Sequence, residues 1–204
     1  ALMLAIPVIF QPEIRRALTR LGRAGSWLTF RGRQEQVLAV IDCIVSASDR
    51  MAQNRHGGLI VIEREVGLQE YVDTGVSLDA TPSAELIIQI FHKDTPLHDG
   101  AVVLRGDHLV AAACVLPLST DARMAERRYG LRHRAAIGVT ESTDAVAVVI
   151  SEETGGISVA YNGRVIRRLT PKRLSNILAA FYQPRGSGGW LRRVVGIKEK
   201  SSDG

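Results

Sequence analysis

Ala101-Val102-Val103-Leu104-Arg105-Gly106-Asp107-His108-Leu109-Val110-Ala111-Ala112-Ala113-Cys114-Val115-Leu116 decides the architecture. Two apolar runs, Ala101 to Leu104 and Leu109 to Leu116, flank Gly106-Asp107, a hairpin signal, so two consecutive strands pair antiparallel. Upstream, Leu59-Ile60-Val61-Ile62 is a short apolar run suited to a buried strand. Between them, Glu85 to Phe91 predicts a helix with Ser83 as its cap. Further upstream, Val37, Val40, Ile41, Ile44 and Val45 recur at helical spacing and predict an amphipathic helix from Gln34 to about Arg55. Downstream, Arg134 to Thr143 suits a helix and Ala145 to Ile150 a buried strand. Ile157 to Ala160 and Val165 to Arg167 flank Asn162-Gly163, the strongest turn signal in the chain. Pro171 opens a last helix to about Tyr182, with Thr170 as cap. Helices interleaved with hairpins exclude a pure βαβ repeat. They predict an α/β fold: a single domain with a mixed central β-sheet flanked by helices.

The 204 residues suffice for one such domain, and 46% hydrophobic with 23% charged residues excludes a disordered chain. Two cysteines, Cys43 and Cys114, cannot form a disulfide framework, which favours a reducing compartment. The net charge of +5 suggests a polyanion partner until it is located. Residues 1–33 hold six arginines against Glu13, and the segment from Arg185 to Gly204 is also basic, whereas the span from Gln34 to Pro184 is net acidic. A nucleic-acid-binding domain carries its excess in the folded body, so no nucleic-acid partner is expected.

The ends read differently from the body. Ala1 to Phe10 is apolar and is followed by Arg15, Arg16, Arg20 and Arg23, the reverse of a secretory signal's order. Two readings fit: a partly buried N-terminal helix, or the last turns of a membrane helix followed by a basic juxtamembrane helix on the cytoplasmic side. Gly186-Ser187-Gly188-Gly189 marks a linker, so residues 185–204 are expected to be a flexible basic tail.

Three loops carry polar residues that secondary structure does not require. They are Asp94-Thr95-Pro96-Leu97-His98-Asp99-Gly100-Ala101, Tyr129-Gly130-Leu131-Arg132-His133-Arg134 and Ser151-Glu152-Glu153-Thr154-Gly155-Gly156. Each alone is ordinarily a turn or a solvated face. Together they supply planar forks for phosphate oxygens, an imidazole and carboxylates for a divalent cation, and an acceptor for a hydroxyl proton. That set suits phosphoryl or nucleotidyl transfer. The chain has no Gly-x-x-x-x-Gly-Lys-Ser/Thr cradle, Cys-x-x-Cys pair, His-Glu-x-x-His helix or Gly-x-Ser-x-Gly elbow, which makes zinc chemistry and serine hydrolysis poor fits.

At these loops the sequence closely resembles the diadenylate cyclase domain family. The Asp99-Gly100-Ala101 and Arg132-His133-Arg134 triplets look like its two signature motifs, and the likeness runs from about Gln34 to Tyr182. Val8 to Arg16 resembles the junction after the membrane helices in the membrane-anchored bacterial branch. The resemblance implies residues 1–33 as the end of a membrane helix with a basic juxtamembrane segment, and 34–184 as the cyclase domain. It places the protein at the cell membrane through an upstream anchor, with the catalytic domain cytoplasmic.

The implied reaction condenses two ATP into cyclic di-AMP and two pyrophosphates across a face-to-face homodimer, and regulatory protein partners are compatible with it. By the same resemblance Asp99 activates the attacking hydroxyl, Gly100 leaves room for the nucleotide, and Ala101 completes the first motif. His98 and Glu153 hold a divalent metal; Mn²⁺ is favoured, with Mg²⁺ or Co²⁺ also compatible. Arg132 and Arg134 hold phosphates, His133 supports their loop, and Ser151 adds a hydroxyl contact. Leu116 recognises adenine through its backbone, so its side chain is expected to matter little. One departure stands out: the family commonly has Thr where this chain has Leu131. That leaves open a catalytically silent nucleotide sensor or partner-binding module.

Overall fold

The computed structural model describes residues 35–120 and 129–182. The expected membrane-helix end, the juxtamembrane arginines and the basic tail lie outside them. Within Ala39–Gly204, one compact unit, the described residues build a seven-stranded sheet. In chain order the elements are α1 (35–53), β1 (Gly58–Glu63), α2 (Gln69–Val72), β2 (Val76–Ala80), α3 (Ala84–Ile90), β3 (Ala101–Arg105), β4 (His108–Cys114), α4 (Leu131–Ser142), β5 (Val146–Ile150), β6 (Ile157–Tyr161), β7 (Arg164–Leu169) and α5 (Pro171–Tyr182). Strand order is β2-β4-β3-β1-β5-β6-β7. Only β1 and β3 run parallel, with Ile60 opposite Val102; every other neighbour is antiparallel.

β1 is the middle strand and apolar at successive positions because both of its faces are covered. One face carries Leu59, Val61, Ala101, Val103, Ala147, Val149 and Ala160 against Ala136 and Val139 of α4. The opposite face carries Ile60, Ile62, Val148 and Val159. A Cβ on Gly58, pointing that way, would meet Met51 of α1 and Phe91 at the end of α3. Phe181 of α5 packs at a tilt against Tyr161 with ring centroids 4.6 Å apart, on the side that Ile157 and Val159 share. Helices therefore flank both faces, as expected.

Local chemistry accounts for the ends of the elements. Ser83 Oγ accepts the Leu86 N–H at 3.2 Å, and Thr170 Oγ1 accepts the Arg173 N–H at 3.3 Å, so both expected caps are made. Asn162 and Gly163 have φ of 51° and 69°, the two left-handed positions that a tight β6–β7 turn requires. β2 and the short α2 were not anticipated. β2 is an edge strand with Val76 half exposed, and its pairing is interrupted between Ser77 and Ala80, where Asp79 has φ 46°. A bulged, one-sided edge carries little alternation to read.

The parallel pair is clamped at its C-terminal end. Glu63 accepts hydrogen bonds from Arg105 Nε at 2.6 Å and Nη2 at 2.9 Å, and from the Leu68 N–H at 2.9 Å. Burial alone would raise the Glu63 carboxyl, but the guanidinium and the amide outweigh it and hold its pKa below the usual value. A depressed carboxylate contributes stability that is present above its unfolded pKa and lost as pH falls through the folded one. Glu63→Gln is therefore expected to cost about 1–3 kcal/mol at neutral pH. In urea melts over an acid series the gap to wild type should narrow through the carboxylate range. A gap independent of pH would refute the charge-assisted clamp.

Candidate nucleotide site

The three polar loops meet on the α4 face of the sheet. The parallel β1–β3 pair brings the 91–100 loop, just before β3, beside Gly57, just before β1. A Cβ on Gly57 would lie 2.6 Å from Arg132 Nη1 and 2.9 Å from Glu152 Oε2, so both groups lie on the same side of this segment. α4 begins at Leu131, earlier than the expected Arg134, and Gly130 takes the N-cap position. The Arg132-His133-Arg134 triplet thus forms the first turn of a helix buried along Ala136 to Thr140. Gly138 makes that depth possible, because any Cβ there would strike the Pro117 carbonyl.

Arg132 joins the loops. Its Nη1 donates to Glu152 Oε2 at 2.8 Å and its Nη2 to the His98 carbonyl at 3.4 Å. Its Nε is buried with no acceptor among the described residues. A guanidinium with one buried donor unmet has hydrogen-bonding capacity that the described residues do not use. The carboxylate that meets Arg132 is Glu152, which the sequence reading passed over; Glu153 is exposed and makes no side-chain hydrogen bond among the described residues.

His98 Nδ1 lies 2.5 Å from the Thr95 carbonyl. A carbonyl only accepts, so Nδ1 carries a proton, and in the neutral ring the lone pair is on Nε2. That is the tautomer a metal-ligating histidine adopts when its second nitrogen is fixed by a carbonyl. No three His, Cys, Asp or Glu side chains gather into a cation site among the described residues. His98 and Glu153 fit a divalent ion only if phosphate oxygens complete the coordination. Asp99 is exposed on the same loop.

Gly100 has φ 112°, and a Cβ there would lie 2.7 Å from the Ala113 carbonyl carbon. The space beside it is occupied by the chain's own β4, where Ala113 (φ 54°) sits in a bulge. The fold demands this glycine before any nucleotide arrives. Leu116 needs a correction: its side chain is 8% exposed and belongs to the core cluster, so it matters for packing whatever its backbone does.

Arg134 turns toward that same segment. Its Nη2 donates to the Ser119 carbonyl at 3.4 Å, its own carbonyl accepts the Ser119 N–H at 3.0 Å, and Ser119 Oγ donates to Glu141 at 2.8 Å. Arg134 therefore positions the segment around Leu116, a role that sequence spacing could not separate from phosphate binding.

His133 is buried, with Nε2 3.4 Å from Ser158 Oγ and its ring 5.6 Å from that of Tyr129. Burial first, and the Arg167 charge second, hold its pKa below the ordinary histidine value. His133 and Ser151 both line a cavity of about 250 Å³, together with Thr154, Gly156, Ser158 and two residues of β7. Ser151 Oγ accepts the Thr154 N–H at 3.3 Å and so shapes the loop it belongs to.

A family model described as the DisA bacterial checkpoint controller nucleotide-binding domain matches residues 45–165. The chain belongs to that DAC family. It is 46% identical to cyclic di-AMP synthase CdaA of Bacillus subtilis, over 88% of this chain and 66% of the relative. It is 44% identical to a diadenylate cyclase of Listeria monocytogenes, over 86% of this chain and 64% of the relative. The chain thus spans about two thirds of the length of these curated relatives. The crystal structure of a double mutant of DacA from Staphylococcus aureus superposes with a TM-score of 0.69 at 41% identity, covering 71% of this chain and 96% of that one. All three polar loops, 94–101, 129–134 and 151–156, fall inside the matched span of this DAC domain.

Gly100→Ala tests how the DAC loop is built. The strained φ and the contact with Ala113 are expected to cost about 2–3 kcal/mol, read as a lower denaturation midpoint. An unchanged midpoint would show that the loop is not seated against β4.

Proposed function

We propose that this chain is the catalytic part of a diadenylate cyclase, joining two ATP molecules into cyclic di-AMP and releasing two pyrophosphates where two copies meet face to face. The observation that carries it is the Arg132 fork, which links the Asp99 loop, the first turn of α4 and the Ser151 loop. The names of the relatives from Bacillus subtilis and Listeria monocytogenes support the activity.

In each half-reaction the 3′-oxygen of one ATP forms a bond to the α-phosphorus of the other, the bond from that phosphorus to the pyrophosphate oxygen breaks, and the hydroxyl proton leaves toward Asp99. Each nucleotide attacks once and is attacked once, so a ring closes. Asp99 is exposed, which suits an acceptor that must meet a hydroxyl brought by a second copy. Arg132 meets phosphate oxygens through its guanidinium edge, where they compete with Glu152 for Nη1. Arg134 and Leu116 fix the segment whose backbone faces adenine. Ser151 contributes its hydroxyl, and neutral His133 supports the first turn of α4. A divalent ion held by His98 Nε2 and Glu153, with Mn²⁺ favoured over Mg²⁺ or Co²⁺, would neutralise phosphate charge.

Residues 34–184 are read as the cyclase domain, attached through residues 1–33 to a membrane anchor, with the domain on the cytoplasmic side and 185–204 as a tail. No helix among the described residues is long and apolar enough to cross a membrane. The anchor is supported by the basic residues after the apolar N-terminus and by the likeness to a solved chain titled a hypothetical membrane spanning protein from Bacillus cereus, at TM-score 0.61 and 41% identity over 63% of each chain. Regulatory proteins fit this setting, and nucleic acid does not.

A silent nucleotide sensor is the second reading, and Leu131 favours it. It is 68% exposed at the first position of α4 and brings no hydroxyl to the site. Incubation with ATP and Mn²⁺ separates the two: a cyclase yields cyclic di-AMP by chromatography, whereas a sensor binds without turnover. Asp99→Asn is expected to bind ATP normally while product formation falls by about 100-fold or more. Equal turnover would remove Asp99 from the chemistry.

A further inference from the structure

β7 departs from regular pairing beside the proposed site. Val159 of β6 lies opposite Ile166 and Ile157 opposite Leu169, so Ser158 faces two residues of β7, Arg167 and Arg168. Arg168 has φ 56°, a left-handed backbone that L side chains rarely adopt. A regular pleat would turn neighbouring side chains to opposite faces, but both arginines line the same cavity with Ser151, Thr154, Ser158 and His133.

The cavity is cationic without an internal counter-charge. No residue lining it is acidic, and neither arginine has a carboxylate partner among the described residues. Arg167 is held over the Tyr129 ring, its Cζ 5.1 Å from the centroid, so its charge is kept in place without being neutralised. At about 250 Å³ the space is smaller than the roughly 300–1,000 Å³ of a pocket that takes a whole drug-sized ligand. It suits part of a ligand: compact, multiply charged and rich in acceptors. Two of its lining residues adjoin the Arg132 contact in the chain: Ser151 opens the loop that carries Glu152, and His133 follows Arg132 in α4.

We infer that the bulge of β7 places Arg167 and Arg168 to bind the β- and γ-phosphates of the attacked nucleotide and to stabilise pyrophosphate as it leaves. This rests on the cyclase reading and adds residues outside both signature triplets. As the bond to the α-phosphorus breaks, charge builds on the pyrophosphate oxygen, and two fixed guanidinium groups oppose it. The bulge accepts an unfavourable backbone at Arg168 and gains a second cation opposite Ser158.

Calorimetry with sodium pyrophosphate and no divalent ion tests this without turnover. Arg167→Gln and Arg168→Gly are each expected to weaken pyrophosphate binding about tenfold relative to wild type. Arg168→Gly suits the left-handed backbone, so it should melt no lower than wild type and keep the fold intact. Cyclic di-AMP, which lacks the two distal phosphates, should bind both variants within threefold of wild type. Retained pyrophosphate affinity in both variants, or an equal loss of cyclic di-AMP, overturns the inference. A wild-type chain that forms no cyclic di-AMP from ATP defeats the cyclase reading instead, and leaves the pyrophosphate titration to decide the arginines.

Discussion

The Arg132 guanidinium is the contact on which the site depends. It sits in the first turn of α4 and reaches the His98 carbonyl on one side and the Glu152 carboxylate on the other, joining segments from 98 to 152. As an ion pair it is worth little, because Glu152 is largely exposed and such pairs contribute about 0–1 kcal/mol. Its importance is geometric. A planar fork fixes direction as well as distance, and a lysine could not hold both acceptors in one orientation.

The fork can act only because the sheet holds it rigid. β1 is buried on both faces and pairs with β3 and β5 at once, so the segments that enter these strands cannot shift separately. Gly138 lets α4 press against the Pro117 carbonyl, and Arg134 ties that segment back to the helix. Gly100 seats the His98–Asp99 loop on the bulge of β4. The site is thus assembled from two bulged strands and a helix start, with the polar loops braced by apolar packing below them. Cys114, beneath this assembly, has its thiol pushed up to about 11 by burial, consistent with a packing role.

Much of this was legible from residue order. Continuous apolar runs announced β1 and β5, Gly106-Asp107 and Asn162-Gly163 announced their turns, and Ser83 and Thr170 announced their helices, because each of these signals is local. β2 stayed hidden because a bulged, half-exposed edge has almost no apolar face. In the site, the two triplets and the Ser151 loop were recognisable as chemistry, but the allocation of partners was not. Whether Glu152 or Glu153 meets Arg132, whether Arg134 faces phosphate or Ser119, and whether Leu116 is buried all turn on side-chain direction at element ends. Val165 to Arg167 was legible as a strand, but the shared side of Arg167 and Arg168 was not, since a bulge that turns neighbours to one side leaves no mark in hydropathy.

The most direct measurement is a crystal structure of the chain with Mn²⁺ and 3′-deoxy-ATP, which lacks the attacking hydroxyl and stays intact. The account predicts the triphosphate lying between His98, Arg132 and Ser151, with the sugar open toward a second copy. A nucleotide bound anywhere else, with Arg132 still bridging His98 and Glu152 and touching no phosphate, would contradict it.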